Sequence, residues 1–471
     1  MDNLLIKFRN EMIKLSEIDL GEDVLSEDNP LYDFIDNINI IRKEEESRII
    51  ARFVKCINYK YKEALKLFIF IRDKINGLGE RRIFKVLLRY LAETNPNFIL
   101  KNLLLIPKYG RYDDLYALFN TSLQKNVIEL FRDQISKDII AEKPSNLGKW
   151  LKSENTSSEE ARKLALETRL GLGYSSKEYR KLLSFLRERI GVLEKNLSLK
   201  RYDNINYKEI SLRKIIRYKN LFLKEDLIYF KEYLYSDDFV LKDPLPIIIE
   251  LYNNIGTSKE EKDLNIKLFN KYLKSIKSYT KDDTLVVNAI TEESKIKKYI
   301  YVFIMMFLIY KNLNSSGFKN YYIYFEDYPK FKKINGEDLF KDIEAIKSTN
   351  NKKGKLFEAL DLLLFTILRK NISLNDIPET ILYITNSFEN LNASEINKYF
   401  EKNWFNIRKK PKIKLLNLNS EKFKLYKEEN VIFINGYKSK YLKNIIEEIE
   451  VDEVKEVREK FNNITYEIEY I

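Results

Sequence analysis

The chain has 471 residues, 83 Lys and Arg against 71 Asp and Glu, a formal net charge of +12, a single cysteine and no histidine. Its length predicts two or three domains, at roughly 100–200 residues each, and a sizeable core. The missing histidine excludes Ser-His-Asp and Cys-His catalysis and imidazole metal ligands, and the lone Cys56 excludes internal disulfides, CxxC redox chemistry and thiolate zinc sites.

The first residues, MDNLLIKFRNEM, carry acids early and have no apolar segment ending in a small-residue cleavage site, so a cytoplasmic rather than a secreted protein is expected. Only 13 Gly and 9 Pro punctuate the chain, which favours helices. From about Arg48 to Asn270 the apolar spacing is helical: Ile83, Val86, Leu87, Tyr90 and Leu91 fall at i, i+3, i+4, i+7 and i+8. Asn76-Gly77-Leu78-Gly79, after a helix ending near Ile75, and Pro107-Lys108-Tyr109-Gly110 read as short connections. Brief connections imply antiparallel neighbours, and a run of such hairpins reads as an irregular α-solenoid, an architecture that exposes long binding surfaces.

After Tyr279 the pattern alternates. Thr284-Leu285-Val286-Val287 predicts a strand and Ile296 to Leu313 a helix; its apolar stretch, Tyr299 to Tyr310, is bounded by lysines and falls short of the ~20 residues that cross a bilayer. Tyr321 to Phe325, Thr380 to Ile384, Ile413 to Leu418 and Val431 to Ile434 predict further strands, with helices over Leu356 to Leu368 and Ala393 to Trp404. That βαβ series predicts a largely parallel sheet covered on both faces, with ligands at the carboxyl ends of its strands. We therefore expect a helical domain over 1–280, an α/β domain over 281–445, and an acidic tail over 446–471. The tail is either a solvated helix or a cover for the basic helices.

The positive charge is local. Residues 161–220 hold sixteen Lys and Arg against six Asp and Glu, which supplies +10 of the net +12. Arg180, Lys181, Arg187 and Arg189 interleave with Tyr179 and Phe185, and Arg213, Lys214, Arg217 and Lys219 surround Tyr218. Cationic groups neutralise phosphates while aromatic faces stack bases, a mixture that suits RNA; a solvated charged face is the plain alternative. Tyr112-Asp113-Asp114 has the look of a paired-carboxylate metal site, but after Gly110 and before an apolar helix either aspartate is more simply an N-cap. Asp237-Asp238 and Asp282-Asp283, at element boundaries, are read the same way. Gly77-Leu78-Gly79 with Arg81 and Arg82 follows a helix and lacks a G-K-[ST] ending, so it is a connector rather than a phosphate loop.

Several of these motifs occur in order: Ile71-Arg72-Asp73 with Asn76 to Arg82, Leu105 to Leu115, Leu147-Gly148-Lys149-Trp150-Leu151, and Tyr179 to Leu183 with Leu186-Arg187. On them the chain resembles an uncharacterised family found in plants, bacteria, phages and large DNA viruses. That family is similar to the TROVE module plus von Willebrand A domain of the Ro ribonucleoprotein autoantigen. The resemblance, over roughly residues 30–440, implies HEAT-like helical repeats in a solenoid or ring closed by a von Willebrand A-like, Rossmann-type α/β domain. It also implies RNA as partner: structured RNA outside, single-stranded ends in a basic channel.

The resemblance further implies where a metal-ion-dependent adhesion site would lie. The positions matching its Asp-x-Ser-x-Ser turn, its Thr and its last Asp look like Asn288, Ile290 and Glu292, then Lys355, then Asn386. Two amides, an isoleucine and a lysine where a hard cation needs charged oxygens predict no metal, and Lys355 could fill the vacated place between Asn288 and Asn386. No cofactor, small-molecule substrate or membrane is expected. The leading expectation is a non-catalytic, cytoplasmic RNA-binding scaffold. Its contacts are Arg180, Lys181, Arg187, Arg189, Arg213, Lys214 and Arg217, with Lys149, Lys108, Arg111, Arg81, Arg82 and Lys85 secondary; Arg81, Arg82 and Arg111 could instead serve helix packing and capping. The alternative is a protein-interaction or virion component with no nucleic-acid role, and a carboxylate metal enzyme stands third.

Overall fold

The computed structural model describes residues 29–470 apart from 192, 237–238, 240, 242, 254–258, 277–282, 292–296, 336–337, 350 and 388–390. Glu292, Asp237, Asp238 and Asp282 therefore lie outside the described residues. The chain forms two compact units, one of residues up to 206 together with 455–471, the other of residues 207–454.

The first unit is helical: α1 Pro30–Asp36, α2 Glu46–Tyr59, α3 Tyr61–Arg72 and α4 Arg82–Thr94 lead into α5 Gln124–Ile140, α6 Leu147–Trp150, α7 Glu159–Leu172 and α8 Ser176–Arg189. Helix α4 buries Ile83, Val86, Leu87, Tyr90 and Leu91, the face its spacing predicts. Phe68 of α3 stacks on Phe84 at 4.7 Å. Helix α3 stops at Arg72 rather than Ile75 because the chain then folds back: Leu78 N donates to Phe70 O and Gly79 N to Asp73 O. A Cβ on Gly77 would lie 2.1 Å from Phe70 O, so only glycine fits there.

The carboxyl-terminal segment belongs to this unit. The helix Glu453–Asn463 buries Phe461 edge-on to Phe70 at 5.3 Å. Beyond it Tyr466 packs edge-on to Tyr109, and its hydroxyl donates to Asp73. Asn102 holds the backbone of Glu469 from both sides, at 2.9 Å. The acidic tail is thus not a solvated helix. Its apolar side is part of the core, and what it covers is the surface of residues 32–109 rather than the basic window.

In the second unit α9 Leu212–Glu225, α10 Leu227–Tyr235, α11 Leu245–Asn253 and α12 Lys259–Ile276 precede an eight-stranded sheet. Its strands are β1 Thr284–Ala289, β2 Tyr321–Phe325, β3 Pro329–Lys333, β4 Thr380–Thr385, β5 Lys412–Asn417, β6 Lys424–Glu428, β7 Val431–Asn435 and β8 Val451–Asp452, in the order β3-β2-β1-β4-β5-β7-β6-β8. Strands β2, β1, β4, β5 and β7 run parallel, and β3, β6 and β8 antiparallel to their neighbours. The order runs outward both ways from β1 and β4, the reversal of doubly wound folds.

Helix α13, Lys298–Leu313, is buried on every side from Tyr301 to Tyr310, which explains an apolar run without helical periodicity. Helix α14 spans Leu339–Lys347. Helices α15, Leu356–Lys370, and α16, Ala393–Asn403, pack Leu360, Leu363, Ile396 and Phe400 with Trp404 against Ile381, Tyr383 and Ile413. Helix α11 sits edge-on to α13 through Tyr252 and Tyr301 at 5.0 Å, and Tyr301 donates its hydroxyl to Asn253. The helices before residue 280 thus share a compact unit with the sheet, whereas the boundaries drawn at 280 and 445 followed the change in secondary structure.

Candidate nucleic-acid interface

A buried acidic turn organises the helical unit. Tyr112–Leu118 is a 3-10 helix whose Asp113 and Asp114 are both buried. Asp114 accepts from Arg72 Nε at 2.7 Å and from Arg111 N at 2.8 Å. Asp113 receives Lys85 Nζ at 3.0 Å, together with Arg81 and Lys152. Burial pushes the Asp113 carboxyl up, but the hydrogen bonds and charges of Lys152 and Lys85 outweigh it and hold the group well below the usual carboxylate range. Neither aspartate is an N-cap: Arg111 occupies that position, and the pair is an ion-pair hub between α3, α4 and the chain after α6. Arg72 is buried in it, whereas the cations on Asp113 reach solvent, with Arg81 half exposed. Beside them the guanidinium of Arg111 lies 4.7 Å and Lys149 Nζ 5.6 Å from the ring of Trp150.

Helix α8 carries the exposed charge. It starts in a capping box, with Ser175 and Glu178 bonding each other's backbone amides, and buries Tyr179, Leu183 and Leu186. That leaves Lys177, Lys181, Phe185 and Arg189 exposed at successive i+4 positions, with Arg180 exposed beside them. Phe185 is 43% exposed, and the Arg189 guanidinium sits 5.6 Å from its ring. The acids of the helix are engaged elsewhere, Glu178 in the capping box and Glu188 on Arg201 at 2.7 Å.

The expected contact residues separate accordingly. Arg180, Lys181 and Arg189 are all exposed, Arg180 and Arg189 on opposite edges of the exposed side with Lys181 between them; Arg189 also donates to Ala141 O, and Arg180 Nε to Ser176 O. Arg187 instead points inward, donating to Gly148 O and Leu151 O at 3.1 and 3.0 Å, and burial pulls its guanidinium pKa down. It holds α6 onto α8. Lys149 and Arg111 meet on Trp150, whereas Lys108 is ion-paired with Glu467 at 2.8 Å. Arg82 donates to Arg42 O, a packing role. Arg213, Lys214 and Arg217 lie on α9 in the other unit, where Arg217 caps the Tyr218 ring at 5.5 Å and Lys219 is buried against Glu250. The basic window is therefore divided between the two units. Trp150 and Lys177 are the residues the sequence reading passed over, although Lys177, Lys181, Phe185 and Arg189 already show the i+4 spacing in the bare sequence.

At the reversal point of the sheet, neutral amide side chains tie the loops together. Asn288 is the fifth residue of β1, not part of a turn, and its Oδ1 accepts from Ile290 N at 3.2 Å. Asn386, just after β4, accepts from Thr291 N at 2.9 Å. Asn351 accepts from Phe325 N at 2.9 Å and donates to Ile290 O at 2.6 Å, tying three loops together. Lys355, the N-cap of α15, is exposed and bonds neither Asn288 nor Asn386, so it does not fill the place of an ion; Asn351 is the buried side chain from that loop. Its neighbour Gly354 is enclosed, with a Cβ there falling 2.1 Å from the Phe325 ring. Among the described residues no three Cys, Asp or Glu side chains gather as metal ligands would, and no helix is long and apolar enough to cross a membrane.

The molecule is thus a mostly helical amino-terminal region followed by a doubly wound α/β unit with a mixed sheet. No protein-family profile matches the chain. It is 26% identical over 215 residues to the uncharacterized protein L728 of Acanthamoeba polyphaga mimivirus, an alignment that takes in 40% of this chain and 37% of that one; the chain thus spans well under half the length of the curated relative it matches. Among solved structures it is similar to the Ro (RSR) protein of Deinococcus radiodurans, with 10% identity, 91% of this chain and 95% of that chain covered, and a TM-score of 0.37.

Proposed function

We propose that the chain is a non-catalytic RNA-binding scaffold, acting in the cytoplasm of a bacterium or of an infected host cell, whose contact face is α8 with the neighbouring Trp150 cluster. The observation that supports this is the exposed row Lys177, Lys181, Phe185 and Arg189 on a helix whose own acids are otherwise paired. Three cations spaced one turn and then two turns apart can follow a phosphate backbone, and the Phe185 ring between the last two offers a face on which an unstacked base can lie.

The test is binding of a fluorescent single-stranded RNA and an RNA hairpin, titrated between about 50 and 200 mM salt. The triple substitution Lys177→Glu, Lys181→Glu and Arg189→Glu should weaken binding more than tenfold at the lower salt. Because each single-strand phosphate contact contributes about 0.7 to the slope of log affinity against log salt, the slope should become shallower by about 2. Unchanged affinity and slope would overturn the assignment. A second reading, a protein-interaction or virion component, draws on Leu166 and Leu170, 42% and 61% exposed one turn apart on α7. Under that reading RNA does not bind and Leu170→Glu abolishes capture of a polypeptide partner.

A further inference from the structure

A cavity of about 420 Å³ opens over the carboxyl ends of β4, β5 and β7, within the range of small-ligand sites. It is built by register. Tyr383, Leu415 and Phe433 are paired across the three strands, and two residues on so are Thr385, Asn417 and Asn435. Residues two apart on a strand share a face, and neighbouring strands lie about 4.8 Å apart. The first row is therefore an apolar floor and the second a polar rim above it. Tyr426 of β6 extends the floor, stacked on Phe433 at 5.0 Å.

Among the described residues the lining contains no Asp, Glu, Lys or Arg. Most of its polar groups have partners already: Tyr383 donates its hydroxyl to Gly354 O, Thr385 and Ser387 bond each other, and Ser420 donates to Lys422 O. Asn417 spends its Oδ1 on Asn419 N. Left over are the Asn419 NH2, the Tyr426 hydroxyl, and, side by side on paired strands, the Asn417 amide NH2 and the whole Asn435 carboxamide, none of them bonded to a described residue.

We propose that this cavity binds the uncharged base of a nucleoside. The described lining offers no counter-charge to a phosphate or carboxylate, which favours an uncharged group in the seat. An apolar floor under a polar rim asks for a flat ring that hydrogen-bonds along one edge; a sugar, with hydroxyls all round, would leave those facing Tyr383, Leu415 and Phe433 unpaired. Carboxamides present a donor and an acceptor together, which is the pattern on base edges and most fully on adenine. The site stands apart from the RNA reading, which rests on charge in the other unit and on phosphate contacts that a nucleoside lacks.

The experiment uses the full chain with adenosine, guanosine, cytidine, uridine and glucose, each titrated separately by ligand-observed NMR and calorimetry in low and high salt. At least one nucleoside should bind, with an affinity that changes less than twofold with salt, and Asn435→Leu should weaken it at least tenfold. Asn417→Leu should do the same; because Asn417 also supports the following turn, the Asn435 variant is the decisive one, and unfolding midpoints show that it folds. The Lys177, Lys181 and Arg189 triple variant should bind the nucleoside as the wild type does. No nucleoside binding, binding of glucose alone, or full binding by Asn435→Leu would overturn the proposal.

Discussion

The acidic turn at Asp113 and Asp114 and the amide-lined edge at Asn288, Asn351 and Asn386 do the same structural task with opposite chemistry. Each pins a loop to the elements around it through buried polar side chains. The helical unit does so with full charges: Arg72 is buried on Asp114, while Arg81, Lys85 and Lys152 on Asp113 reach the surface as a positive field. The sheet unit uses carboxamides, which act only on what they touch. A field that extends into solvent attracts a polyanion, while contact-range donors and acceptors select a neutral ligand.

The difference also sets how much each anchor contributes. Asp114→Ala removes the carboxylate from Arg72, which is 3% exposed, and breaking a buried pair in this way costs about 3–5 kcal/mol. The chain has two tryptophans, Trp150 in the helical unit and Trp404 in the sheet unit, so urea unfolding followed by the fluorescence of each, with the other replaced by Phe, reads the units separately. The Trp150 transition should carry the whole loss. Asn351→Ala should instead lower the Trp404 transition by about 1 kcal/mol for each of the two neutral hydrogen bonds lost, at Phe325 N and Ile290 O. A loss for Asn351→Ala as large as that of Asp114→Ala would break the comparison.

Asn386→Asp is a gentler probe. Thr291 N keeps its acceptor, but an oxygen replaces the amide that faces Thr291 O at 3.4 Å, and about 1 kcal/mol should be lost at neutral pH. Recovery on acidification, as the new carboxyl takes up a proton and can donate, would identify the lost donor as the cause.

How far these anchors could be read in advance follows from their range in sequence. The α4 face, the buried α13 and the five parallel strands all announce themselves through spacing or apolar runs within a dozen residues. Strands β3, PKFKK, and β6, KLYKE, were missed because charged edge strands carry little apolar signal. The Asp113 hub was legible as a pair of acids but not as a hub, since its partners lie 28, 32 and 39 residues away. For the same reason Arg187 looked like a surface cation: nothing local reveals that its donors end on Gly148 and Leu151. The rim of Thr385, Asn417 and Asn435 had a local sign, three strands each closing apolar-apolar-polar, but its meaning needs the register.

The smallest signal is a dependence on pH. The folded carboxyl of Asp113 titrates below the unfolded one, so between the two values the unfolded chain binds the proton and the folded chain does not. The stabilisation from this group is therefore complete above the ordinary carboxylate pKa of about 4 and drains away as the pH falls below it. Asp113→Asn cannot lose a charge it lacks. The stability gap between wild type and Asp113→Asn in the Trp150 transition should thus be widest above about pH 5 and narrow steadily toward pH 3. The gap between wild type and Asn351→Ala in the Trp404 transition should be the same across that range, because no proton is exchanged at a carboxamide. Parallel curves for both pairs would mean that Lys85 and Lys152 do not hold the Asp113 charge, and that the cations around it are screened rather than anchored.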